Sequence, residues 1–266
     1  MARYSGLARA ALVAVGRAAP AVLSIGTLLL IWELYARFAD IAPTTLPAPS
    51  RVVTQAWEHR QTLLDNTVPT LIATLAGFCC SLFAAFGFSV LIDFSTPLRR
   101  ALLPVFIISQ TLPLVAIAPL IVLWFGFGLT PKIMLVALVT FFPMLVALVQ
   151  GYAAADSDIE ALLASMGAGR RRIFTLVRLP TSLPYFFAGL RISITYAVVG
   201  AIFAEYAGAA KGLGIYILNS KNNFRPDLVL AAVLVSASLT LLLFGATVLV
   251  QRAATPWARL GEGRQP

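Results

Sequence analysis

Charge is scarce in this chain. Only 12% of its 266 residues are Asp, Glu, Lys or Arg, against roughly a quarter in a soluble domain. With 59% of the residues apolar, a soluble globular domain is excluded and an integral membrane protein is implied. Histidine occurs once, as His59 beside Trp57 and Glu58, which falls short of the ligand count of a metal site. Cysteine occurs only as the adjacent pair Cys79 and Cys80. Their Cα atoms stand about 3.8 Å apart, closer than ordinary disulfide geometry allows, so they read as small packing residues inside an apolar segment. No Gly-x-x-x-x-Gly-Lys-Ser/Thr loop is present, so nucleotide phosphates are not cradled in the P-loop manner. Gly126-Phe-Gly128 and Gly212-Leu-Gly214 are too short to be diagnostic. No apolar segment pairs an acid with a base as proton-coupled carriers do, and no cluster of His, Cys, Asp and Glu offers a catalytic centre. The chain therefore reads as no enzyme, with no cofactor or metal of its own, and energy for its work comes from outside it.

Apolar runs are what the chain has in quantity. A span needs about 20 apolar residues, and six segments meet that length: 18–39, 67–92, 101–125, 133–152, 185–206 and 228–250. They predict an all-α membrane protein of six transmembrane helices in a single domain over 1–266, with both termini on one side. The first run is too long for a secretory signal and lacks a small-residue cleavage site. The net charge of +9 is dispersed over connections and tails, which argues against nucleic acid. With the N-terminus inside, the cytoplasmic segments hold twelve basic residues (Arg3, Arg9, Arg17, Arg99, Arg100, Arg170, Arg171, Arg172, Arg178, Arg252, Arg259 and Arg264). The outer segments hold seven (Arg37, Arg51, Arg60, Lys132, Lys211, Lys221 and Arg225), and Arg191 lies inside the fifth span. The asymmetry places both termini in the cytoplasm.

One polar insert, 155–180, separates the fourth and fifth spans. Ser157 and Glu160 have the spacing of a capping box, and Asp156 and Asp158 suit a helix start. Ile159, Leu162, Leu163 and Met166 follow at i, i+3, i+4 and i+7, one apolar face of a short helix. Gly167 and Gly169 allow a turn. Arg170, Arg171 and Arg172 then lead into a second stripe, Ile173, Phe174, Leu176 and Val177, that Pro180 stops. The insert reads as two amphipathic helices built to dock on a cytoplasmic partner; the bland alternative lays it on lipid headgroups.

Between the first and second spans, Pro43, Pro47 and Pro49 precede 50–57, which has the look of a capped surface helix. In the third span Pro104, Pro113 and Pro119 interrupt the run. Either Ser109, Gln110 and Thr111 beside Pro113 line a path or form a hinge, or the segment is a kinked helix packed on its neighbours. In the fifth span Gly189 and Gly200 suit close packing, and Ser193, Thr195 and Tyr196 are candidate pore-lining residues. Glu205 closes that span either as a gate or receptor contact or as an interfacial carboxylate paired with Lys211; Glu33 near the end of the first span reads as interfacial, beside Trp32 and Arg37.

Several short stretches together resemble the permease subunits of ATP-binding-cassette importers, in the branch of nitrate, sulfonate, taurine and pyrimidine-precursor systems. They are Leu46-Pro-Ala-Pro-Ser50, Pro113 to Pro119 running on to Trp124-Phe-Gly-Phe-Gly128, Met166-Gly-Ala-Gly169 with Val177-Arg-Leu-Pro180, Leu183-Pro184, Ala188-Gly-Leu-Arg191, Ala204-Glu205 and Gly212-Leu-Gly214. The resemblance covers nearly the whole chain. It implies that 155–180 is the loop inserted into a cleft of an ATPase subunit, with Gly167, Leu179 and Pro180 matching the family's signature and Glu160, Leu163, Met166, Arg170, Arg171, Arg172 and Phe174 around them. One departure stands out: the family's acidic residue and two alanines fall at 161–163, where this chain has Ala161, Leu162 and Leu163, with Glu160 one place early. The resemblance further implies a bacterial inner-membrane location and a likeness of partners: two ATPase subunits carrying ATP and Mg, a second permease copy, an extracytoplasmic substrate-binding protein and the lipid bilayer. The stretch 192–205 looks closest to permeases for thiamine pyrimidine precursors, with Tyr196 and Tyr206 available to stack on a flat ring or to sit in an interfacial belt. Nitrate, sulfonate or taurine is the alternative cargo; a stand-alone channel or a membrane scaffold is the alternative class.

Overall fold

A computed structural model of the chain describes residues 2–39 and 42–255, with side chains from residue 19 onward. Asp40 and the arginines at 259 and 264 lie outside the described residues, as do the side chains of Arg3, Arg9 and Arg17. Every regular element described is helical: α1 (Ala2–Phe38), α2 (Pro49–Glu58), α3 (Arg60–Phe94), α4 (Thr96–Thr111), α5 (Leu114–Phe125), α6 (Leu129–Ala153), α7 (Ser157–Ser165), α8 (Arg170–Ile173), α9 (Leu179–Ala207), α10 (Leu213–Asn222) and α11 (Pro226–Ala254). In lipid an α-helix satisfies all its backbone polar groups within one segment, which is why an apolar chain of this length resolves into helices.

Five helices are long and apolar enough to cross a membrane, and α4 with α5 makes a sixth if that pair, bent by 101°, counts as one span. The bend sits at Leu112–Pro113. Leu112 takes an extended ψ of 125°, because the proline ring disfavours the helical region for the residue before it. Pro104 and Pro119 do not interrupt as expected; they ride inside α4 and α5. Each removes a single ladder bond, and the turns on either side hold.

The chain divides into two compact units, Met1–Arg60 with Asn219–Ala232 and Gln61–Leu218 with Val233–Pro266. In the first, the Glu33 carboxylate on α1 takes the place of a side-chain cap for α2. It accepts the Ser50 amide (2.9 Å) and hydroxyl (2.7 Å), and it pairs with Arg37. Asp227 there receives Arg225 at 3.0 Å and Arg51 at 3.3 Å.

The second unit is organised on the long α6–α9 pairing, with α3 against both. Its core joins Ala73, Phe78, Ala85 and Ile92 of α3 to Val136, Met144 and Leu145 of α6 and to Phe187, Leu190, Ile194, Ala197 and Ala201 of α9. Lipid tails are as apolar as leucine, so such helices associate by close packing and not by exclusion from water. The glycines show how close: a Cβ at Gly189 would stand 2.5 Å from the Ala147 Cβ, and one at Gly200 2.8 Å from a Val139 methyl. Cys79 and Cys80, read as packing residues, are instead exposed on α3. Adjacent helical positions lie about 100° apart at 3.6 residues per turn, and Phe78 and Ser81 take the buried positions beside them.

Candidate functional site

The insert begins where α6 ends. Asp156, not Ser157, caps α7: its carboxylate accepts the Asp158 amide at 2.8 Å. The expected capping box does not form, because a guanidinium takes the Glu160 carboxylate away from the helix start. Arg178 donates from Nε and Nη2 to the two Glu160 oxygens at 2.7 and 2.8 Å. Its Nη1 reaches both Asp93 oxygens, at the end of α3, at 2.9 and 3.0 Å. This bidentate fork is the strongest arrangement open to an arginine–carboxylate pair, and it holds the Glu160 carboxyl below the usual carboxylate range.

α7 ends in two paired bonds, Ala168 N to Leu163 O at 2.9 Å and Gly167 N to Ala164 O at 3.0 Å. They form a Schellman motif, and Gly167 supplies the left-handed residue with φ +83°. Arg170 donates to the Asp93 carbonyl at 2.7 Å and lies 5.3 Å from the Phe94 ring centroid. Phe174 is buried against Tyr152 and Leu148, with Leu179 packed on the same cluster. Residues Phe174–Arg178 form one wide turn with i→i+5 bonding. The helix then runs through Pro180 to Ala207, so the proline does not stop it. The wide turn accommodates the ring that lacks an amide donor.

The insert therefore has an inner and an outer side. Glu160, Phe174, Arg178 and Leu179 face the bundle, Leu163 is half-buried, and Arg170 is exposed but reaches back to Asp93 and Phe94. Ile159, Leu162 and Met166 form an exposed apolar stripe, with Met166 at 75%; Gly167, Arg171, Arg172 and Pro180 are exposed beside it.

The second region is a cavity of about 680 Å³ between α4–α5, α6 and α9. Gln110, Gln150, Tyr185 and Tyr196 give it polar edges, and Phe142, Ile192 and Val199 give it apolar walls. A neighbouring space of about 490 Å³ holds Arg191, Thr195, Tyr196 and Phe244. Ser109 and Thr111 spend their hydroxyls on the Phe106 and Ile108 carbonyls, and Pro113 lies at the break. Ser193 is buried in the α6–α9 seam, donating to the Thr140 carbonyl at 2.9 Å, and does not face the cavity.

The third region centres on Glu205, which is fully buried. The Thr70 hydroxyl lies 2.9 Å from each carboxylate oxygen, the Gly214 amide donates at 2.8 Å and Lys132 Nζ stands at 3.5 Å. The expected partner Lys211 contributes only its carbonyl, which accepts from Lys132 at 3.1 Å. Lys132 is thus no outer-loop charge but a buried counter-ion, because a buried carboxylate needs one. Gly212 is required here: a Cβ on it would meet the Glu205 carboxyl carbon at 2.1 Å. Glu205 ties α3, α6 and α9 to the loop before α10, with Asn66 accepting the Gly212 amide at 3.0 Å.

Three groups escaped sequence reasoning: Asp93, Arg178 as a hub, and Lys132. A signal did exist, since the chain has only eleven acidic residues and each one bordering an apolar run calls for a cation.

Residues 77–256 match the family of binding-protein-dependent transport system inner membrane components. A probable ABC transporter permease of Haemophilus influenzae is 33% identical over 84% of this chain and 91% of its own length. The chain belongs to the ABC transporter permeases. The formylaminopyrimidine transport permease of Halalkalibacterium halodurans is 32% identical, covering 87% of this permease and 93% of that one. The taurine transport permease of Escherichia coli is 32% identical over 88% and 89%. In fold, the permease resembles a chain of the inward-facing MetNI methionine ABC transporter, with a TM-score of 0.60 at 17% identity, over 75% of this chain and 97% of that one.

Proposed function

We propose that this permease forms half of a twofold translocation unit in a bacterial inner membrane, with both termini and the insert in the cytoplasm. A single bundle encloses no path by itself, and a C2 pair is the commonest closed arrangement. Each copy carries one ATPase subunit on its insert, ATP and Mg being held by those subunits, and an extracytoplasmic binding protein delivers the cargo. The observation that carries this reading is the two-sidedness of the insert. Its outer stripe of Ile159, Leu162 and Met166 is free for a partner, while Arg178 locks its inner side to α3 through Glu160 and Asp93. A displacement imposed on the stripe is thereby passed to the spans as a rigid movement.

The test is charge reversal at Arg171 and Arg172, or Gly167→Val, in the reconstituted complex. A bulky side chain is strained at φ +83°, by about 1–2 kcal/mol. ATP hydrolysis should then proceed without matching uptake; tight coupling in all these variants would show that the ATPase docks elsewhere.

For the cargo, the uncharged cavity with two tyrosine rings and two glutamine amides supports a small aromatic compound such as a thiamine pyrimidine precursor. Nitrate, sulfonate or taurine is the second reading, favoured by the cationic Arg191 beside that cavity. A substrate panel on the complete complex separates them: uptake of a sulfonate without a pyrimidine would overturn the first reading.

A further inference from the structure

Arg191 has no role in the helix packing, the insert or the Glu205 network. It lies 12 residues after Leu179 and 16 before Ala207 on α9, roughly 18 and 24 Å from the two ends at 1.5 Å per residue. On the apolar run 185–206 it stands six residues, roughly 9 Å, in from the cytoplasmic end, inside the fifth span. None of the ion pairs among the described residues includes it. A guanidinium in this position without a counter-ion is costly unless water or a ligand meets it.

The surroundings supply that meeting place. Arg191 is half-buried and borders the space of about 490 Å³ with Thr195 one turn on and Tyr196 beside it. Ala188, Ile192 and Tyr196 also line the cavity of about 680 Å³, so the two spaces adjoin along one face of α9. Among the described residues that line either space, Arg191 is the one charged group. The Thr195 hydroxyl donates to the Arg191 carbonyl at 3.0 Å and keeps its lone pairs for an incoming donor.

We propose that Arg191 is a cargo-binding group of the translocation path, recognising cargo through a paired acceptor edge set in one plane. Two oxygens, or an oxygen and a ring nitrogen, fit the guanidinium fork, and the Tyr196 ring lies beside it to take a flat face. This deepens the importer reading and rests on it for the word cargo. The edge comes either from a carbonyl-bearing heteroaromatic ring or from an oxyanion such as a sulfonate.

The experiment uses the complete transporter in proteoliposomes, with ATP supplied, the binding protein in excess and Cys79 and Cys80 replaced by serine. Initial uptake of labelled formylaminopyrimidine and of labelled taurine is measured for wild type, Arg191→Gln and Arg191→Lys. Arg191→Gln should lower uptake of the transported probe about tenfold, the cost of one charge-assisted fork. Arg191→Lys, a point charge without the fork, should recover only a small part. Loss confined to the pyrimidine assigns the ring edge; loss confined to taurine assigns the oxyanion. Uptake by Arg191→Gln at the wild-type rate overturns the proposal. A second measurement does not depend on transport: Arg191→Cys should react with a charged, membrane-impermeant thiosulfonate in the assembled complex, and the probe should slow that reaction. An unreactive cysteine places the position in lipid or packing and overturns the proposal. Absence in the wild type of any ATP hydrolysis stimulated by the binding protein overturns the importer reading instead, and the labelling then still decides whether position 191 lines water.

Discussion

Removing the Arg178 guanidinium should release α7 from the bundle while leaving the spans folded. Arg178→Ala deletes two charge-assisted hydrogen bonds to Glu160 and two to Asp93. It also leaves the two carboxylates without the cation between them. Fully buried, such a loss would cost about 3–5 kcal/mol, whereas an exposed pair contributes about 0–1. The three side chains are 29%, 21% and 13% exposed, so about 2–3 kcal/mol is the appropriate scale. Because α7 reaches the bundle mainly through this hub and the half-buried Leu163, the loss appears as local opening, not global unfolding. Amide hydrogen exchange followed by mass spectrometry reads it directly. Exchange over 157–165 should accelerate roughly 30- to 150-fold at 1.36 kcal/mol per decade, with α6 and α9 unchanged. Arg178→Lys, lacking the fork, should fall between. The effect also depends on pH. Glu160 titrates below its ordinary value because Arg178 hydrogen-bonds its charged form. A carboxylate with a depressed folded pKa stabilises above the unfolded value and loses that contribution as pH falls through the folded one. Protection of α7 should therefore hold above pH 4.5, the ordinary value, and decline below it, and Glu160→Gln should abolish the decline. Wild-type exchange rates in Arg178→Ala would refute the hub.

At the other end of α9, Lys132→Met and Glu205→Leu should each lower thermal stability in detergent by about 3 kcal/mol, since each leaves a buried charge alone. The double variant should lose at least about 1 kcal/mol less than the sum; strictly additive losses would separate the two residues energetically. Gly212→Ala should lower the melting temperature through its clash with the Glu205 carboxylate, while Gly87→Ala, where nothing stands within 4 Å, should not. Phe174→Ala should loosen the insert by about 3 kcal/mol, because it empties a buried aromatic site beside Tyr152 and Phe94. Unchanged exchange over 170–178 would contradict that packing.

Which of these sites could be read from the sequence follows from the range of the forces that build them. The left-handed turn at Gly167 and the break before Pro113 depend on one or two residues' own backbone preferences, so local pattern reveals them. The apolar stripe of α7 is likewise a matter of helical period. Pro180 misled for the opposite reason: its local penalty is real, but a wide turn supplied by the preceding five residues absorbs it. The ion pairs lie further out of reach. Arg178 and Asp93 are 85 positions apart, and Lys132 and Glu205 are 73 apart. No period links such positions; only the packing of α3, α6 and α9 does.

Charge in a membrane chain nonetheless narrows the search. Each carboxylate bordering an apolar run must find a cation or take up a proton, and the chain provides few of either charge. Glu33, Asp93, Glu160, Glu205 and Asp227 all have cationic partners among the described residues. The same accounting applied to cations leaves Arg191, inside the fifth span, with no acid opposite it among the described residues. A counter-charge absent among the described residues implies water or cargo, which is why the unpaired arginine says more about transport than the five satisfied carboxylates do.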